Sequence, residues 1–146
     1  MAFETGDTAR RHLLIGWSAI LLFLALGALL EALHGFKLGF YLDLANATRR
    51  HLWTLAHAHG TLLGILNVVF AASLRIFCPR VEAWQRTASA CLFGATLLLP
   101  GGFFLGGLVI YAGDPGLGIL LVPVGALLLL LSVGLTLRGL AAASGD

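Results

Sequence analysis

At the head of one long apolar stretch the chain reads His51-Leu-Trp-Thr-Leu-Ala-His57-Ala-His59-Gly60. These three imidazoles are the side chains best suited to chemistry. Ionisable groups inside a bilayer are costly and uncommon, and they point to function by default. A neutral ring nitrogen also ligates metals and haem iron. Glu31 and His34, three residues apart on the preceding apolar stretch, add a carboxylate and another imidazole. On a helix that spacing lets both converge on one ligand.

The elements that must position these groups are membrane spans. Apolar residues make up 59% of the chain and charged residues 11%, which excludes an ordinary soluble domain. A span needs about 20 mostly apolar residues. The sequence predicts spans at about 13–35, 51–77, 87–112 and 116–138. Short connections make this an all-α membrane protein, a four-transmembrane-helix antiparallel bundle forming a single transmembrane domain over 1–146. No room is left for a soluble catalytic domain, so any chemistry sits in the bundle or at its rims, and whether the chain is an enzyme stays open. No basic cluster suggests nucleic acid; the expected surroundings are a lipid bilayer. Arg10 and Arg11 precede the first stretch as a signal peptide would have it. That stretch exceeds an h-region of about 7–15 residues, and no Ala-x-Ala pattern follows, so it reads as a retained span. Cys78 and Cys91 match no zinc or redox spacing.

Arg10, Arg11, Arg75, Arg80, Arg86 and Arg138 fall on one side, and Lys37, Arg49 and Arg50 on the other. The positive-inside rule then predicts cytoplasmic termini. Arginine over lysine and Ala/Leu/Gly-rich usage suggest a bacterial inner membrane.

Helical spacing sorts the faces. In the first span Gly16, Ile20, Phe23, Gly27, Glu31 and His34 share one. Glu31 is therefore expected to point inward, with snorkelling from a helix end as the alternative. In the second span Thr54, His57, Gly60, Thr61, Gly64, Asn67 and Ala71 form a small, polar stripe. His59 lies about 200° from His57, among Leu52, Leu55, Leu62, Leu66 and Phe70. A bare imidazole in hydrocarbon is unfavourable. A neighbouring helix, or more specifically a second haem, a homodimer partner or another subunit, is expected to cover it. Pro100-Gly101-Gly102 and Gly106-Gly107 either open space for a flat ligand or permit tight packing. A short interfacial helix is expected within 36–50, with Asp43 solvated, and Pro123 is expected to kink the fourth span. Tyr111 and Asp114 close the third span at the rim that carries the histidine set. His12, beside Arg10 and Arg11, is expected to be interfacial with no ligand role.

The segment Ala56-His57-Ala58-His59 resembles the Ala-His-x-His stretch of one transmembrane helix in haem-copper oxidases and nitric oxide reductases. The resemblance covers about a dozen residues. It implies that His57 and His59, on opposite helix faces, are axial ligands of two different haems. The family's copper ligands and cross-linked tyrosine have no counterpart here. What carries over is a small relative that keeps a haem or metal site.

Read from the residues alone, three ligand readings stay open. Haem b could sit between His34 and His57, with glycines providing the groove. A non-haem Cu, Fe or Zn ion could take Glu31, His34, His51 and His57. Glu-x-x-His is also the ligand spacing of carboxylate di-iron bundles, but no second copy is present. Without a cofactor, Glu31, His57 and Asn67 would form a polar network or proton path. The corresponding functions are an electron-transfer or oxidase-like redox module exchanging electrons with a quinone or periplasmic carrier, a non-catalytic accessory subunit of a larger membrane complex, and a non-haem metal-dependent membrane enzyme; assembly into a homo-oligomer or a larger membrane complex is expected.

Overall fold

A computed structural model describes residues 5–78 and 82–143; Arg80 lies outside them. Four long helices dominate: α1 (Thr5–Gly35), α3 (Ala47–Phe77), α4 (Ala83–Leu108) and α5 (Leu121–Ala143), with a single turn, α2 (Gly39–Leu42), between the first two. All four are long and apolar enough to cross a membrane, so the chain is an all-α integral membrane protein.

The boundaries shift from those expected. The described part of α1 already includes residues 5–12, which contain no proline and carry Asp7 in the first turn. α3 begins at Ala47, next to a 3₁₀ turn over Leu44–Asn46 that extends the interfacial segment. Asp43 is exposed, but its carboxylate also accepts from the Ala45 N–H at 2.9 Å. α4 stops at Leu108. Tyr111 and Asp114 are not its last turn; they pair across a two-residue hairpin of β1 (Ile110–Tyr111) and β2 (Asp114–Pro115). Its turn, Ala112-Gly113, has φ of 50° and 91°, both left-handed as a type I′ turn requires. Pro123 lies in the first turn of α5, where its missing N–H costs no helical bond, so the expected kink has no cause there.

The buried positions follow a 3.5-residue repeat. In α3 they include Leu52, Ala56, Leu63, Asn67, Phe70 and Leu74; in α4, Gln85, Ala88, Leu92, Ala95, Leu99, Gly102 and Gly106. This is the seam of nearly antiparallel, left-handed helix packing. α1 packs along α3, α3 along α4 and α4 along α5, whereas α1 and α4 barely meet. The buried apolar core lies along the α3–α4 seam, around Leu63, Phe70, Leu74, Leu92 and Leu99. Lipid tails are as apolar as leucine, so close approach holds these helices together more than water exclusion does. Gly16 and Gly64 supply it: a side chain on either would strike the other's backbone carbonyl at 2.7–2.9 Å.

Candidate functional site

The α1–α3 and α3–α4 seams place His57 and His59 on opposite sides of α3. His57 leans on α1, its ring filling the place that a Gly27 side chain would take. Its Nδ1 lies 2.6 Å from the Phe23 carbonyl. A carbonyl only accepts, so Nδ1 carries the proton and Nε2 of the neutral ring keeps its lone pair. His59 is fixed alike, its Nδ1–H donating to the Leu55 carbonyl at 2.9 Å. Neither Nε2 has a hydrogen-bond partner among the described residues. Thr61 Oγ1 is the one fully buried side-chain polar atom without a partner among them, so both Nε2 atoms reach the molecular surface. A ring held by a backbone carbonyl with its other nitrogen free is the usual arrangement of a ligating histidine.

The expected cover for His59 comes from within the chain. Phe103 of α4 lies against its ring, centroids 4.9 Å apart, and its own helix supplies the polar partner. No second haem, second copy or other subunit is needed for this.

The remaining expected ligands are not brought together. Glu31, His34 and His51 are exposed, and no group of three or more His, Cys, Asp or Glu able to hold a metal ion occurs among the described residues. Glu31 does not point inward. The α1 seam runs through Ala9, His12, Gly16, Ala19 and then Leu30, and a 3.5-residue repeat leaves position 31 just past it. The His34–His57 pair is not formed either. His57 faces Gly27, and His34 lies seven residues, about 10 Å, farther along α1. The donor chemistry therefore offers one imidazole Nε2 on each face of α3; it does not bring His34 to His57.

His12 is the main correction. It is 2% exposed, inside a hydrogen-bonded chain that ties α1, α3 and α4 together. Asn67 donates its amide to the Leu63 carbonyl and to Thr96 Oγ1, both at 2.8 Å. Its carbonyl oxygen therefore faces His12 Nδ1, which donates at 2.6 Å. His12 Nε2 then accepts from the Ser89 hydroxyl at 2.7 Å, and Thr96 donates to the Leu92 carbonyl at 2.7 Å. Phe70 meets the ring edge-on. Asn67 thus joins neither Glu31 nor His57. The chain passes through an amide and ends on a backbone carbonyl, so it locks helices rather than relaying protons. A signal was available: His12 sits four residues before Gly16, on the same face.

At the opposite rim, Arg49 donates from Nε to the Gly107 carbonyl at 2.9 Å, closing the end of α4. Arg50 donates to the Tyr41 and Asp43 carbonyls at 2.7 and 2.6 Å. Burial pushes the Tyr41 phenol above its ordinary value, with Arg50 opposing and Glu31 adding to the rise.

Fold and site define a membrane-spanning four-helix protein with two carbonyl-oriented histidines on one central helix. No protein-family model, curated protein or solved structure matches the chain.

Proposed function

We propose that this protein is a redox module of the bacterial inner membrane, termini cytoplasmic, in which the Nε2 atoms of His57 and His59 would each hold a haem. The observation that carries this reading is the pair of Nδ1–H bonds to the Phe23 and Leu55 carbonyls, which leaves both Nε2 lone pairs free on opposite faces of α3. Haem would supply one-electron transfer with a membrane or periplasmic carrier. The chain's own part is orientation. Phe23 and Leu55 hold the rings and raise their basicity, and Gly27 gives His57 its place.

From this chain, each haem would be held by a single imidazole, that of His57 or of His59. That favours the accessory-subunit reading as second choice, with the rings at a subunit interface.

The test is an optical spectrum and haem assay after haem-replete expression. A Soret band is expected, with His57→Ala and His59→Ala each lowering the haem load. No Soret band in the parent overturns the proposal. Size in mild detergent separates the two readings: a lone monodisperse particle with haem supports the self-contained module, and a larger assembly supports the accessory subunit.

A further inference from the structure

The α1–α4 side of the molecule is open. Two cavities of about 430 Å³ each lie between these helices. They share Leu22, Phe23 and Gly101 and so form one groove along the membrane-spanning part of the chain. The lining is apolar except at one level, where Ser18 and Thr96 meet it. Both sit near the middle of their helices, hence near mid-membrane depth.

Two polar atoms at that level lack their ordinary partners. Ser18 Oγ makes no hydrogen bond among the described residues, whereas Ser73, Thr96 and Thr136 each donate to the carbonyl four residues earlier. The Thr96 carbonyl has lost its regular helical donor, because Pro100, four residues on, carries no N–H. Ser18 Oγ can donate into the groove, and the Thr96 carbonyl, on a residue 6% exposed in the groove wall, can accept.

We infer that this groove binds a lipid-soluble quinone. A phospholipid cannot satisfy the two atoms, since its polar groups stay at the interface and only its tails reach this depth. A quinone ring carries carbonyl oxygens that accept from Ser18, and the reduced form carries hydroxyls that donate to the Thr96 carbonyl. Its long apolar tail matches the rest of the groove. The inference names the electron partner of the redox reading above but rests on different polar groups, Ser18 and the Thr96 carbonyl; Phe23 belongs to both places, its side chain lining the groove and its carbonyl holding His57. A protein without haem would still bind the quinone.

Titration of the full-length protein in mild detergent with decyl-benzoquinone, followed by quenching of tryptophan fluorescence, tests it. Trp17 adjoins Ser18 in the sequence. An octyl-tryptophan ester in the same micelles reports simple partitioning. Saturable quenching is expected. Gly101→Leu should weaken binding by about tenfold or more, because a side chain there meets nothing within 4 Å and grows into the open groove without disturbing the helices. Ser18→Ala should weaken it about three- to tenfold, the loss of one hydrogen bond. Quenching that tracks the micelle control, or that neither variant changes, overturns the inference. So does equal displacement by hexadecane, which would make the groove an ordinary site for lipid tails.

Discussion

At the residue scale, hydrogen bonds decide more here than burial does. The lock of His12, Asn67, Ser89 and Thr96 joins three helices. Hydrogen bonds between membrane helices average about 0.6 kcal/mol and reach about 1.7, so Asn67→Leu, which strands the His12 N–H, should cost about 1–2 kcal/mol. His12→Leu in that background should cost little more. Denaturant titration of both single variants and the double variant measures the coupling, and additive losses would show that the two side chains act separately. Outside the spans, burial pushes the Cys78 thiol above its ordinary value, and nearby Glu82 raises it further. The reactive species is the thiolate. In a Cys91→Ala background, the pH profile of alkylation should therefore rise at higher pH than for a free thiol. Glu82→Gln should shift it back down; an ordinary thiol profile would mean Cys78 is not buried in solution.

At the element scale, the α1–α3 seam depends on what Gly27 lacks. Gly27→Ala drives a methyl into the His57 ring and should break its bond to the Phe23 carbonyl. Overpacking of this kind costs about 1–3 kcal/mol. The loss should shrink in a His57→Ala background, where the ring is gone, and thermal unfolding in detergent compares the two. The hairpin after α4 carries the opposite kind of defect. Ala112 sits at φ 50°, a conformation costing a residue with a Cβ about 1–2 kcal/mol. Ala112→Gly relieves that cost but gains unfolded-state entropy, so a net gain of up to about 1 kcal/mol is expected. A fall in midpoint would count against the left-handed turn.

At the scale of the whole molecule, the helices form a row with α3 and α4 at its centre. The seam of Leu63, Phe70, Leu74, Leu92 and Leu99 joins the α1–α3 pair to the α4–α5 pair. Segments 1–78 and 79–146 expressed as separate chains should therefore copurify. Phe70→Ala, which opens a cavity costing about 3–5 kcal/mol, should abolish that. Recovery of each segment alone from the parent pair would show that this seam does not hold the two pairs together. The same row leaves the α1–α4 groove open, since a closed bundle would have pressed Gly101 against α1.

Class and topology were legible from the residues because they depend on quantities that add along the chain: apolar length, small-residue periodicity and short connections. The opposite-face placement of His57 and His59 was legible too, since two residues on a helix are always about 200° apart. Which groups meet was not. Glu31 and His34 share a helical stripe with Gly27 on paper, but the 3.5-residue repeat of the packed seam gives the inward place to Leu30. His12 lay beside two arginines and read as interfacial. Only the approach of α3 and α4 surrounds it with Asn67 and Ser89. The free Nε2 atoms likewise depend on tertiary distance for His57, whose proton is held by a carbonyl 34 residues away. For His59 the partner is local, at Leu55, but its cover by Phe103 is not. Helix composition is a property of the chain, whereas the rotation of each helix about its axis is set by its neighbours, and that rotation determines which polar groups face one another.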